Sequence, residues 1–538
     1  MTSTRTAAWQ ELVTSALLGT DRRPPPTGDL PLLDAAALHT VRRRAGLLPA
    51  AAAAPPSPAP DDPRPEPPEP ARRRLAQLLA DRPGPPGSGG RRGAAPDLTE
   101  LLPQWLAAAL RHGYRAPASQ LDALLDAARA RTDLRPHALA FAGARGLWLA
   151  RLNPDWKFAL RSTSGGGALP APTATEAVQG LWEEGLFVER VALLTSVRAH
   201  SPAAGIALLA TTWTRERAED RLMFLDSLRT GLTDGDEPFL ERALADRSRN
   251  VRSTAAELLS ALPTSALAGR MADRAMTCVS LDLSVDQVRI SVEAPHECDA
   301  AMQRDGVSAV PPAGRGERSW WLGQLVEATP LGVWTTRLRG RTPDRIVTLP
   351  VADGWAEELH AAWRRAAVRQ RDPEWSRALL SGPGTTSLAE RSELLAALPD
   401  DERARWIAEF IAGHGLSEAF QLLAVCDVPW AEPLGRAVVD ALEIARDAGS
   451  YPWSFSGVMG LAERCLDPTE APRLEILTAL PDETERASPG AGGYWSEAFQ
   501  RLVSTLKLRA AMAAELAGEL AEELTGEARL AEAMEPTA

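Results

Sequence analysis

The sequence predicts a mainly α protein: an α-solenoid of stacked helix pairs with a small β-hairpin insertion. Three observations carry that prediction. Hydrophobic residues make up 45% of the 538 positions and charged residues 24%, a folded composition with ample material for a core. Apolar residues recur at helical spacing over most of the length. Proline or glycine interrupts that spacing again and again, so the helices are short.

The stretch Asp236 to Pro263, DEPFLERALADRSRNVRSTAAELLSALP, is the most explicit. It reads as two antiparallel helices joined by a tight polar turn at Asp246 and Arg247. Val251, Ala255, Leu258, Leu259 and Leu262 then share one helical face. An acidic-basic turn followed by V-R-x-x-A-A-x-L-L-x-x-L is HEAT-like. Such a unit cannot bury its apolar face alone and implies stacked neighbours.

Taken in order, residues 1–48 predict N-terminal helices. The first carries Trp9, Leu12, Val13, Ala16 and Leu17 on one face and ends at Gly19. Residues 49–97 read as a flexible linker with a short helix at 71–82. Pro49 to Pro70 holds ten prolines in 22 positions, and proline removes the N–H groups that regular structure needs. Residues 98–161 return to helix, and a glycine-rich loop from Ser162 to Pro172 separates them from the array at 175–275. There about six helices are expected, with turns near Ser201, Thr214, Asp234, Ser248 and Pro263. At 276–318 the period changes to two. Val279, Leu281 and Leu283, then Val288, Ile290 and Val292, alternate with polar residues and predict a hairpin and loop. Residues 319–530 form a C-terminal helical array whose last helix, from Tyr494 to about Leu524, caps it.

Formal net charge is −12, which argues against bulk electrostatic binding to nucleic acid or anionic membrane. Of 59 basic residues only Lys157 and Lys507 are lysines, a preference read as a codon-composition bias. Four cysteines without a C-x-x-C fit a reducing, cytoplasmic compartment with buried thiols. The start lacks the run of a signal peptide, and no uninterrupted apolar window is long enough to span a membrane.

Chemistry is sparse. Gly165 to Gly167 follow no strand and lack the G-x-x-x-x-G-K-[ST] that cradles phosphate, so a loop is the better reading. His296, Glu297 and Cys298 lack a second ligand pair, so neither a metal nor a cofactor is predicted. No G-x-S-x-G or cysteine-protease signature occurs. Sixteen tryptophans, among them Trp105, Trp148, Trp182, Trp213, Trp363, Trp406 and Trp495, stand in apolar helical patterns as core, each indole N–H expected to find a backbone partner. Trp320 and Trp321 are adjacent and must face differently, which makes them candidate surface anchors. With Arg247 and Arg252 they form the predicted partner-binding set. Arg42 to Arg44, Arg72 to Arg74, Arg91 and Arg92 make the N-terminal third locally basic, mainly as solvated charge and alternatively as a contact for an acidic partner.

The opening W-Q-E-L-V-x-x-A-L-L-G-T-D-R-R-P-P, Trp9 to Pro25, resembles the start of an uncharacterised family of bacterial proteins. Further patches are A-G-A-R-G-L-W-L-A-R-L-N-P-D-W from Ala142 to Trp156, F-L-E-R-A-L-A-D-R-S-R-N-V-R from Phe239 to Arg252, and W-W-L-G-Q-L-V-E-A-T-P-L from Trp320 to Leu331. The family is a domain of unknown function without assigned catalytic residues. Its genes often lie beside those for a MoxR-type AAA+ ATPase, a von Willebrand A-domain protein and a SWIM zinc-finger protein. The resemblance therefore implies, by association, an ATPase-linked chaperone-like or metal-insertion-like system.

The expected function is a non-catalytic, protein-binding scaffold. The alternative is a HEAT-like DNA glycosylase holding damaged DNA with arginines and tryptophans. A scaffold should present mixed charge and an exposed apolar patch, and a glycosylase a contiguous arginine-rich face. Replacing Val251 with Asp should unfold the repeat, because it buries an unpaired charge; a wild-type melt would place Val251 at the surface.

Overall fold

Repeated breakage of the helical pattern dictates the architecture. The computed structural model describes residues 2–25, 30–45, 57–59, 61–80, 95–162, 169–170, 172–284, 287–384, 387–479 and 490–518. These residues form 27 α-helices, ten short 3-10 turns and one two-stranded sheet, so the protein is mainly α with a small β-hairpin. The chain divides into two units, Met1–Pro60 and Asp61–Ala538.

The first unit holds the helices Thr2–Leu18 and Leu32–Ala45, which pack together. Gly19 ends the first in the left-handed region, φ 87°, as its position predicts. Leu12, Ser15 and Ala35 are buried, while Val13, Ala16 and Leu17 of the predicted apolar face are exposed.

In the second unit most helices touch those next to them in sequence, from Thr175–Glu184 to Ala491–Ala517. Seven α-helices fill 175–278, one more than expected, and the turns fall at the predicted places. Val251, Ala255, Leu258, Leu259 and Leu262 are all buried. The strands β1 (Val279–Asp282) and β2 (Arg289–Val292) pair antiparallel, with Val279 opposite Val292 and Leu281 opposite Ile290. Arg289 Nε donates to Asp282 Oδ2 at 3.0 Å and closes the open end. The hairpin is anchored below, where Ile290 N donates to the Pro350 carbonyl at 2.8 Å.

Two apolar cores result. The larger runs from Val178 to Leu506, and the smaller gathers residues 71–159 with Met512 and Leu516. The closing helix Ala491–Ala517 belongs to both.

That second core corrects the expectation for residues 49–97. The helix Glu69–Ala80 buries Ala71, Leu75 and Leu78 and packs against the closing helix. Arg74 grips Glu515 across 441 positions, with Nη2 to Oε1 at 2.7 Å and Nε to Oε2 at 3.2 Å. Residues 61–80 therefore belong to the packed body, and Arg72 and Arg73 pair with Glu66 and Glu69. Proline here fixes an extended path along other elements: Arg115 N donates to the Pro65 carbonyl, and Arg64 Nη1 to that of Ala140. The runs at Gly165–Gly167 and Arg91–Arg92 lie outside the described residues.

One ion pair is fully internal. Arg198 sends Nη1 and Nη2 to Asp236 at 3.1 and 3.0 Å, both side chains 1% exposed. Nη2 also reaches the carbonyls of Leu228 and Gly231. The neighbouring helix passes so closely that a Cβ on Gly205 would come within 2.3 Å of Arg198 Cγ.

The tryptophans are mostly core, as expected: Trp105, Trp182, Trp334, Trp363 and Trp495 are fully buried. Their indole N–H groups are not uniformly met. Trp495 donates to the Ser450 carbonyl, whereas Trp105, Trp182, Trp334 and Trp363 meet no acceptor among the described residues. Four unpaired cysteines, three of them buried, complete the core. Burial pushes the Cys426 thiol up to about 12, which keeps it protonated and inert.

Two predictions follow from the buried polar groups. Arg198→Met alone should cost about 3–5 kcal/mol in urea denaturation, because it strands Asp236; Arg198→Met with Asp236→Leu should recover part of that loss. An uncoupled pair of effects would show that the pair contributes no net interaction. His360 lies buried beneath the Gly384 turn, and burial lowers its pKa against the opposing effect of a hydrogen bond it donates to the Val347 backbone carbonyl. The unfolded chain then takes the proton first. This contribution to stability is complete above about pH 6.5 and is lost as pH falls below it. The urea midpoint of His360→Gln should fall less steeply over that range than that of the wild type.

Candidate functional site

Apolar spacing turns one stripe of each helix inward, so the charged stripes of successive helices line up along their exposed side. A large recess on that side, about 840 Å³, lies between the helix Arg249–Ser260 and the helix Ala356–Gln370. Arg229, Glu257, Arg365, Arg369 and Glu393 form its charged walls, over Leu232, Leu258, Leu262 and Val368. A smaller recess continues it past Glu327 and Asp305, sharing Glu257 and Arg369.

Most of the charges in these walls are matched to one another, while Arg371 and Glu393, which also line the recess, meet no opposite charge among the described residues. Arg229 forks onto Glu257 with bonds of 2.7 and 2.9 Å, and its Nε reaches Asp226 at 2.7 Å. Those bonds hold the Glu257 carboxyl below its ordinary value, against the cost of burial, and they raise the Arg229 pKa. Arg365 and Arg369 stand four positions apart on one helix and clasp Glu327 between them. Arg369 also donates to Ser260 Oγ at 3.1 Å. The row continues through Glu358, which lies 3.9 Å from Arg365 and 3.1 Å from Arg315. Gly323 leaves the room for this crossing, since a Cβ there would sit 2.4 Å from Glu358 Oε1. The same device recurs where Arg270 and Arg274 clasp the buried Asp305 at 2.9 and 2.7 Å.

The lining of the large recess contains neither histidine nor cysteine. Glu393 is its one carboxylate without a basic partner among the described residues. Among the described residues no group of three or more His, Cys, Asp or Glu is placed to hold a metal ion. His296 lies 3.2 Å from Glu293. No helix among the described residues is long and apolar enough to cross a membrane.

The four residues singled out from the sequence fall into two places. Trp321 is buried, and its Nε1 donates to the Ala309 carbonyl at 2.9 Å. Trp320 is half-buried; its Nε1 donates to the Ser308 carbonyl at 2.9 Å and Arg315 lies over its ring. The pair thus pins the loop at 308–309 onto the helix Glu317–Ala328. Arg252 is also occupied at home, with Nη1 on the carbonyls of Asp246 and Arg247. Arg247 alone of the four is exposed, on the rim of a separate depression beside Phe239.

Sequence reasoning missed Trp453. It is 55% exposed and stacks on Tyr451 with ring centroids 4.0 Å apart. Phe455 and the exposed Ile444 line an apolar groove of about 550 Å³ nearby in sequence. The available signal was position: Trp453 follows Pro452 in Y-P-W-S-F, outside any helical apolar stripe.

A family described as Family of unknown function (DUF5691) matches residues 11–516. No curated protein and no solved structure matches the chain.

Removing Glu327 should expose how far the charge row contributes. Glu327→Gln should cost about 1–3 kcal/mol by chemical denaturation, since it strands two partly buried guanidinium groups. Glu393→Gln should change stability by less than about 0.5 kcal/mol. Equal costs at the two positions would show that the row is ornamental to the fold.

Proposed function

The chain belongs to this family of unknown function, DUF5691, and from that premise we propose that it is a non-catalytic scaffold or adaptor that binds a protein partner on a HEAT-like helical-repeat surface. The observation that carries this reading is the mutual neutralisation of the large recess. Arg229, Arg365 and Arg369 already face Glu257 and Glu327, so among the recess arginines only Arg371 is left without a carboxylate, too little positive charge for a phosphate backbone. The exposed apolar groups at Ile444 and Trp453 are the anchors that a protein surface would cover. The family resemblance points to a MoxR-type AAA+ ATPase or a von Willebrand A-domain protein as the partner. Buried, protonated thiols suit a reducing cytoplasm.

The DNA-glycosylase alternative draws on the many arginines and tryptophans. It fits less well, because the tryptophans of the two cores are mostly buried and the arginines of the large recess are largely paired. One experiment separates the two readings. Affinity purification at native abundance, with mass spectrometry of what co-elutes, should recover a stoichiometric protein partner, while fluorescence anisotropy should find no salt-sensitive binding to a DNA duplex. Recovery of the chain alone together with salt-sensitive duplex binding would overturn the scaffold reading.

A further inference from the structure

The depression beside Arg247 differs in kind from the large recess. It has a volume of about 520 Å³ and an aromatic floor, where Trp213 and Phe239 meet edge to face with centroids 4.9 Å apart. Arg221, Arg242 and Arg247 surround that floor, against one carboxylate, Asp246. Asp246 is already spent. It holds Arg221 at 2.8 and 2.9 Å and accepts from Ser248 N at 2.8 Å, while Arg221 also grips the Glu216 carbonyl at 2.7 Å.

Arg242 and Arg247 remain. Both are exposed, and neither meets a carboxylate among the described residues. Arg242 lies over the Phe239 ring, 5.9 Å from its centroid. In a chain of net charge −12 these two guanidinium groups, without a carboxylate among the described residues, stand together beside an aromatic side chain.

We propose that this depression is the docking site for a short acidic segment of the protein partner, with an apolar side chain on the half-buried Trp213, which the buried Phe239 backs, and its carboxylates on Arg242 and Arg247. The inference rests on the scaffold reading and gives it a place and a chemistry. Charge complementarity selects the occupant. Guanidinium forks match carboxylates in bidentate geometry, and the aromatic floor supplies the area that two surface ion pairs would lack. A nucleic acid strand fits less well, because two exposed guanidinium groups neutralise few of its phosphates in a chain of net charge −12.

The test uses the full chain and a phage-displayed library of random dodecapeptides. Selection on the wild type should enrich peptides with Asp or Glu flanking a large apolar residue. Those peptides, made synthetically, should bind Arg242→Glu/Arg247→Glu about tenfold or more weakly, and the neutral Arg242→Gln/Arg247→Gln pair should fall between, as lost charge-assisted hydrogen bonds require. Because both side chains are exposed, unchanged thermal melts should accompany the loss. Enrichment of peptides without acidic residues, no enrichment, or undiminished binding to the Glu pair would each overturn the site. The scaffold reading fails separately. If a partner co-purifies with the Glu pair as it does with the wild type, the site is wrong and the scaffold stands; if none co-purifies with the wild type, the scaffold itself falls.

Discussion

A stack of short helices ends its helices often, and every end leaves backbone carbonyls without partners. Arginine meets that constraint here. Arg198 caps the carbonyls of Leu228 and Gly231 while holding Asp236, and Arg403 spans Leu398 and Val425. Arg509, buried enough that its pKa is lowered, donates to Glu463 and Leu466. Arg337 ties the helix Leu331–Arg337 to the start of the hairpin through the Val279 carbonyl. A planar fork with five N–H groups can serve two carbonyls and a carboxylate together, which a lysine ammonium does less well. The near-absence of lysine, read from composition alone as a codon bias, therefore has a structural use at these turns.

Where contacts are local, the sequence was a sufficient guide. Helix ends at Gly19, Ser201 and Pro399, the buried stripe from Val251 to Leu262, and the presence of the hairpin follow from propensity and period. Where contacts are distant, it was silent. Nothing near Leu75 indicates that Leu516 will cover the same core, so a proline-rich run looked like a tether. The pairing of Trp320 and Trp321 with residues 308–309 was equally hidden, since an indole N–H and a loop carbonyl carry no mutual signature. Periodicity also could not distinguish a tryptophan whose N–H is met, such as Trp495, from one whose N–H is not, such as Trp182.

The candidate surfaces obey the same division. Which residues are charged is plain from the sequence; which charges cancel is a property of the stacking. Arg365 and Arg369 face Glu327 because two helices separated by some thirty positions lie side by side. Arg242 and Arg247 lack such a neighbour and remain available. For a repeat surface, the charge that matters in recognition is what remains after the stack has satisfied itself.

The sharing of the helix Ala491–Ala517 between both cores has a consequence for biosynthesis. Ribosomes deliver the amino-terminal helices first, yet the core around Leu75 and Trp105 lacks Met512 and Leu516 until translation has advanced by more than four hundred codons. In the interval those helices carry an open apolar seam into the cell. A nascent chain of this design calls for a holdase or for shielding near the ribosome exit. A chain cut short by premature termination would keep the seam exposed, giving quality-control proteases a ready mark of an unfinished product.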